Sequence, residues 1–232
     1  MAPKYSIIIP TLNEGKTIYG VIKGIPSAIS RESEIIVVDG RSTDETVSEA
    51  NRAGARVLME KRKGKGAAVR KGIGEARGEF CILIDGDGSM KPEEIERLTA
   101  VSGDFDLVVG SRFLGRPDDV SPMHFLGNYV HNKIASLLFT RRITDINSGF
   151  KVIRSRAAKK LGLKSDGFEI EAEMILKALR MGCRYCEVSV FTVKRQHGQA
   201  KLSYRDGFRI LKKIIQMRIW PLGRQAAAGS VF

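Results

Sequence analysis

The stretch Phe80-Cys-Ile-Leu-Ile-Asp-Gly-Asp-Gly88 decides how this chain is read. Its apolar run, Phe80 to Ile84, shows no polar alternation and predicts a strand buried on both faces. The run ends in Asp85 and Asp87, one residue apart and interleaved with Gly86 and Gly88. Carboxylates in that spacing suit a hard divalent cation such as Mg²⁺ or Mn²⁺, which keeps part of its coordination for substrate phosphates. The glycines leave room for a diphosphate. An Asp-Gly-Asp after an apolar run is also an ordinary turn, so its meaning depends on the rest of the chain.

Outward from this stretch, strands and helices alternate. Tyr5–Pro10, Glu34–Asp39, Ala55–Met59 and Asp106–Gly110 read as further strands. Gly15–Ile29, a segment opening at Ser42-Thr43-Asp44-Glu45, Gly64–Ala76 and Pro92–Val101 read as the helices between them. That order predicts an α/β fold, a mainly parallel central sheet flanked by helices on both faces. Ligands of such sheets bind beyond the carboxyl ends of the strands, where Pro10, Asp39 and Asp85 fall. In the second half, Met123–Phe139 reads as one long helix with Phe125, Tyr129, Val130, Ile134, Leu137 and Leu138 on or near one face. A polar turn, Asp145–Phe150, enters a short strand. A helix over Phe168–Met181, an extended stretch over Arg184–Lys194 and a basic amphipathic helix over Ser203–Leu222 follow. With no internal repeat or low-complexity linker, one domain is expected over 1–232, made of parts 1–112, 113–202 and 203–222.

The chain has 232 residues, 43% hydrophobic and 28% charged, enough to bury one sizeable core. No apolar run reaches the roughly 18 residues of a membrane-spanning helix, and the first residues lack a signal-peptide pattern. A cytoplasmic location is expected. Of the three cysteines, Cys81 lies in the apolar strand, and Cys183 and Cys186 form a lone C-x-x-C, read as half-buried side chains near a strand. The net charge of +13 calls for an anionic partner: nucleic acid, an anionic membrane face or phosphorylated substrates. Without zinc-finger spacing or an aromatic-basic RNA-binding pattern, nucleic acid is not expected.

Seven stretches in order carry a family resemblance: Ile7-Ile-Ile-Pro-Thr-Leu-Asn-Glu14, Ile36-Val-Val-Asp-Gly-Arg-Ser-Thr-Asp-Glu-Thr46, Gly64-Lys-Gly-Ala-Ala68, Asp85-Gly-Asp87, Gly110-Ser-Arg112, Asp145-Ile-Asn-Ser-Gly-Phe150 and Arg195-Gln-His-Gly-Gln-Ala-Lys-Leu202. Together they resemble family-two glycosyltransferases of the A-type, Rossmann-like fold, near the dolichyl-phosphate mannose synthases and related polyprenyl-phosphate hexose synthases. The resemblance implies inverting, metal-dependent transfer of a hexose from a nucleotide sugar to a polyprenyl or dolichyl phosphate. GDP-mannose is the first donor and UDP-glucose the second. It implies a nucleoside pocket of Pro10, Leu12, Glu14, Val37 and Asp39, and a metal held by Asp85 and Asp87, with Gly86 allowing close approach of the donor. Ser89 stands where relatives often have glutamine and would ligate weakly or through water. Arg112, Arg195 and Lys201 fall at phosphate-contacting positions. Lys65 reads either as a phosphate contact or as an exposed helix end, and Asp44 as a helix cap.

The acceptor side departs from the pattern. Relatives often carry arginine just before the Gly-Asn of the long helix, whereas His124 and Phe125 precede Leu126-Gly127-Asn128 here. His124, Lys133 and Arg142 are the candidate replacements, and Ala200 replaces a serine. Asp87, Arg112 and Asp145 form the expected catalytic set. A hydroxyl acceptor would require Asp145 as base, whereas a lipid phosphate is already ionised and would leave Asp145 a positioning role, the preferred reading. In the last helix Phe208, Leu211, Ile215, Ile219 and Leu222 form one stripe among Arg209, Lys212, Lys213 and Arg218. Such a helix suits an anionic bilayer interface or packs on the core with a solvated basic back. Many relatives continue into transmembrane helices, and this chain ends near that point, which reads as a soluble or shortened form. The alternatives are a hydroxyl-directed transferase and, from another class, a basic nucleic-acid-binding or scaffold protein.

Overall fold

A computed structural model describes residues 2–115, 122–193 and 203–219. Each apolar run becomes a strand: β1 (Tyr5–Thr11), β2 (Ser33–Asp39), β3 (Arg56–Met59), β4 (Phe80–Leu83) and β5 (Leu107–Ser111). They join β6 (Lys151–Arg154) and β7 (Tyr185–Ser189) in one seven-stranded sheet of order β3-β2-β1-β4-β6-β5-β7. Only β6 runs antiparallel, between β4 and β5.

Residue alternation sends Ile8, Ile36, Val38, Leu83 and Val109 to one face, against α4 (Lys65–Glu75), α7 (Ser155–Lys160) and α8 (Ile170–Arg180). Ile7, Ile9, Val37, Ile82 and Val108 point to the other, against α1 (Ile18–Lys23), α3 (Thr46–Arg52) and α5 (Ile95–Thr99). With both faces covered, the central strands have no side to expose to water, which is why they read as unbroken apolar runs.

Two expected elements differ in detail, and one element was not expected. The helix expected over Gly15–Ile29 is two short helices, α1 and α2 (Ser27–Ser30), because Pro26 cannot donate within a helix and caps the second one from an extended conformation. The helix expected over Pro92–Val101 opens as a 3₁₀ turn at Pro92–Glu94 before α5. Helix α7 was not expected from the sequence.

The long helix α6 (Pro122–Phe139) and the terminal helix α9 (Tyr204–Ile219) match their expected positions, with Leu222 outside the described residues; the buried face of α6 differs from its expected stripe, whereas the expected stripe of α9 is its exposed face. In α6 the buried line is Asn128, Asn132 and Ala135, whereas Phe125, Tyr129, Val130 and Leu137 are exposed. In α9, Ile210, Ile214 and Met217 pack into the core, and Tyr204, Phe208, Ile215 and Ile219 face solvent. At 100° per residue the two apolar stripes of α9 stand roughly 140° apart, so core packing leaves the second uncovered among the described residues.

Candidate active site

The sheet order reverses between β1 and β4, since β2 lies on one side of β1 and β4 on the other. Such a switch point opens a crevice at the carboxyl ends of the strands. Because β6 is antiparallel, its amino end reaches this same edge, and the 145–150 turn lands beside the residues that follow β4 and β5. Asp85 and Asp87 after β4, Arg112 after β5, Asp145 before β6 and Lys65 at the start of α4 meet there.

Asp145 is fully buried and locks Arg112. Arg112 Nε donates to Oδ2 at 2.7 Å, Nη2 to Oδ1 at 2.8 Å and the Arg112 backbone N–H to Oδ2 at 3.1 Å. Burial works against the guanidinium charge, but Asp145 outweighs it and holds Arg112 above its ordinary value. The Asp145 backbone N–H donates to Glu187 Oε1 at 3.0 Å, and Glu187 also accepts from the Thr144 N–H and hydroxyl. With both oxygens occupied by a guanidinium and no exposure to water, Asp145 is placed to orient Arg112. This geometry suits the positioning role better than that of base for a hydroxyl acceptor.

Of the two readings of Lys65, the exposed helix end is corrected. The side chain is not turned outward: Nζ lies 2.5 Å from Asp85 Oδ1 and 2.9 Å from Glu171 Oε1. Glu171 holds Lys151, itself fully buried, with its other oxygen, and Lys151 also donates to the Ser148 carbonyl. The path of the chain explains the approach. Gly64, at φ +111°, and Gly66 pack their bare Cα atoms against the Ser165 and Asp166 carbonyls, where a Cβ would collide. A Cβ at Gly149 would stand 2.7 Å from both Asp85 Oδ2 and Lys65 Nζ. Burial pushes the Asp85 carboxyl up, but Lys65 outweighs it and keeps it below the ordinary carboxylate range. Lys65 in turn is held above its ordinary value against burial by Asp85 and Glu171, whereas burial draws Lys151 down despite Glu171.

Asp87 is almost buried and its Oδ1 accepts from the Ser89 N–H at 2.9 Å and hydroxyl at 2.6 Å. Ser89 therefore braces Asp87. Two hard carboxylates at one strand end, with the Asp85 side chain 26% exposed, fit a divalent ion that keeps most of its shell for water and phosphate. No group of three or more His, Cys, Asp or Glu among the described residues is arranged as a closed protein cage for a metal.

Across the crevice, the Glu14 carboxylate and the Thr11 methyl face the bare Cα of Gly86, and the Thr17 hydroxyl donates to the Gly86 carbonyl at 2.7 Å. Pro10 lies buried at the end of β1, and Leu12 is 42% exposed beyond it. Val37 points into the core under α1 and α3 and is fully buried, which corrects its assignment to a nucleoside pocket. Asp39 is also fully buried. Its Oδ2 accepts from the Ser42 N–H at 2.8 Å, and Oδ1 from the Ser42 and Thr11 hydroxyls. These bonds shape the 40–42 turn at the carboxyl end of β2. Asp44 lies one residue before Glu45, the N-cap of α3, and accepts from the Thr46 and Gly15 N–H groups at 3.0 and 2.9 Å. Arg195, Lys201 and Ala200 lie outside the described residues, as does the side chain of His124. Lys133 and Arg142 are exposed, with Lys133 over the Tyr129 ring.

The family model for glycosyl transferase family 2 matches residues 6–162, which contain both carboxylates, Arg112 and Asp145. The chain belongs to glycosyl transferase family 2. Among curated relatives of this glycosyltransferase, the hexosyltransferase Agl6 of low-salt glycan biosynthesis in Haloferax volcanii is 31% identical over 220 residues, 90% of this chain and 52% of that protein. The glycosyltransferase AglJ of the same organism is 30% identical over 195 residues, 83% and 64% of the two chains. A dolichol-phosphate mannosyltransferase of Pyrococcus furiosus is 30% identical over 229 residues, 94% and 64%. The chain thus spans about half to two thirds of these relatives. Glucosyl-3-phosphoglycerate synthase of Mycobacterium tuberculosis, solved with Mn²⁺, UDP and glucosyl-3-phosphoglycerate, superposes with a TM-score of 0.77 at 20% identity, covering 95% of this chain and 82% of that one. That likeness concerns the fold, and the glycosyltransferase A-type fold expected from the motifs is the one observed.

The sequence reading missed Lys151, Glu171 and Glu187. A signal for one of them was present: Glu171 and Glu173 sit among Ile170, Met174 and Ile175 on the buried face of α8. Acids on such a face require partners.

Proposed function

We propose that this glycosyltransferase transfers a hexose, with inversion, from a nucleotide sugar to a polyprenyl phosphate at the cytoplasmic face of a membrane, residues 1–232 acting as one catalytic unit. GDP-mannose is the favoured donor. The observation that carries the acceptor assignment is the Arg112–Asp145 lock. A hydroxyl acceptor must lose a proton as it attacks, and the carboxylate best placed by motif to take it is buried under a guanidinium. A phosphate acceptor attacks already ionised. The bonds to Asp145 use Nε and Nη2, so Arg112 keeps its Nη1 donors for a phosphate oxygen.

Asp85 and Asp87, the latter braced by Ser89, would hold Mg²⁺ or Mn²⁺, which when bound neutralises charge developing on the diphosphate leaving group. Pro10, Leu12 and Glu14 border the crevice from β1 and are assigned to the nucleoside, with Arg195 and Lys201 assigned to the diphosphate. The name of the Pyrococcus relative supports a dolichol-phosphate acceptor and mannose. The UDP held by the solved relative favours UDP-glucose as the second donor.

An apolar cleft of about 220 Å³ between α6 and α9 supports a lipid acceptor. Met123, Tyr204, Phe208 and Leu211 line it, and Asn128, His131 and Asn147 provide its polar end. Asn147 Nδ2 donates to Asn128 Oδ1 at 2.7 Å and lies 3.0 Å from His131 Nδ1. Asn147 belongs to the same turn as Asp145, which holds Arg112. The uncovered stripe of α9, with exposed Arg205, Arg209, Lys212 and Arg218 beside it, suits an anionic bilayer surface. Among the described residues no helix is long and apolar enough to cross a membrane.

The test is transfer of labelled sugar from GDP-mannose and UDP-glucose, with Mn²⁺, to a polyprenyl phosphate in vesicles or to soluble hydroxyl acceptors. Label in the organic phase is expected. Transfer to hydroxyl acceptors alone would refute the lipid-phosphate reading.

A further inference from the structure

Lys65 stands against a metal-site carboxylate without being able to ligate a metal. It is held from two sides, by Asp85 Oδ1 at 2.5 Å and Glu171 Oε1 at 2.9 Å, with Lys151 on the far oxygen of Glu171. Asp85, Asp87, Glu171 and Glu14, whose carboxylate faces Gly86, contribute −4, and Lys65 and Lys151 +2, a sum of −2, while Arg112 and Asp145 cancel. A divalent ion arriving alone meets a site half of whose negative charge is already paired with lysine. A nucleotide diphosphate adds negative charge of its own.

We propose that Lys65 is a built-in counter-ion of Asp85 that competes with the divalent cation for this carboxylate, so that metal loading depends on the nucleotide diphosphate. Glu171 limits the competition by drawing the ammonium the other way, and acts as a positioning residue that touches neither metal nor substrate. The proposal rests on the reading of Asp85 and Asp87 as the metal-binding pair. It makes predictions of opposite sign for two neighbours. Removing the cation strengthens metal binding, and removing the anion weakens it. A side chain that only shapes the pocket would weaken binding in either case.

The experiment is a Mn²⁺ titration followed by the electron paramagnetic resonance signal of the free ion, with and without GDP or UDP, against nucleotide-only blanks. Wild type, Lys65→Met, Glu171→Gln and Asp87→Ala are compared, each checked for cooperative thermal unfolding. Lys65→Gln serves as a second neutral variant. Lys65→Met is expected to tighten Mn²⁺ binding in the absence of nucleotide by about tenfold, the scale on which an adjoining charge shifts a carboxylate's affinity for a cation. The gain from adding nucleotide should shrink accordingly, and Glu171→Gln should weaken binding. Unchanged or weaker binding in both neutral Lys65 variants overturns the proposal while leaving the metal site standing. Equal binding by wild type and Asp87→Ala in the presence of nucleotide overturns the metal-site reading and the proposal with it.

Discussion

Replacing Asp145 by asparagine keeps the side chain's size and removes its charge. In the native site the carboxylate accepts three N–H groups from Arg112, two from the guanidinium and one from the backbone. Asparagine retains one accepting oxygen and turns an NH₂ group toward a guanidinium donor. Breaking a buried ion pair costs about 3–5 kcal/mol. Asp145 is fully buried, but the Arg112 side chain keeps 19% exposure, so water takes up part of its orphaned charge. We therefore expect a loss of about 2–3 kcal/mol, which for a domain of this size lowers Tm by roughly 4–12 °C. Turnover should fall about a hundredfold because the guanidinium loses its fixed position. The acidic limb of the kcat/KM–pH profile should persist, since Asp145 takes no proton in the reaction. Calorimetry and a pH–rate series on the two proteins measure all three quantities. An unchanged Tm together with loss of the acidic limb would refute the positioning role and make Asp145 a base.

Other predictions concern the surface, the acid limb of stability and the thiols. Ile214→Ala, in the core stripe of α9, should cost about 2–4 kcal/mol, whereas Phe208→Ser and Ile215→Ser, on the exposed stripe, should leave Tm within about 2 °C and weaken sedimentation with anionic vesicles. The reverse pattern would exchange the two faces. Glu60, beside Arg62, is held down to about 2 in the fold. A depressed carboxyl contributes stability above its unfolded value and loses it on the way down through its folded value, so Tm should fall less between roughly pH 4.5 and 2 in Glu60→Gln than in wild type. Burial pushes the Cys81 and Cys183 thiols up to about 11. Both should react with a thiol reagent at neutral pH only after unfolding, and prompt labelling of either would contradict its burial.

The strands were legible because burial on both faces leaves no polar alternation in Ile7–Ile9, Ile35–Val38 or Ile82–Ile84. The carboxylates were legible because a polar strand end after such a run has few purposes. Strand β6 was harder to read: Lys151-Val-Ile-Arg154 begins with a lysine, and its charge is balanced in the core by Glu171, far along the chain. Asp145 and Arg112 were each flagged, but that they close on one another follows from the reversed direction of β6, which no local pattern encodes. In α9 two stripes share the helical period, and periodicity alone does not say which of them α6 and α8 will cover. The assignments of Val37 and Asp39 to a nucleoside pocket came from motif position. Side-chain alternation along β2 already puts Val37 on the buried face shared by Ile7 and Ile9.

The central claim is a metal-dependent nucleotide-sugar site built on Asp85 and Asp87. The most direct measurement is thermal unfolding of wild type and Asp87→Ala with GDP, UDP, GDP-mannose and UDP-glucose, each with and without Mn²⁺, since a ligand that binds only the folded state must raise Tm. We predict a shift in wild type that requires both Mn²⁺ and one nucleotide base and that disappears in Asp87→Ala. Shifts that are equal with and without the metal, or that survive in Asp87→Ala, would contradict the account.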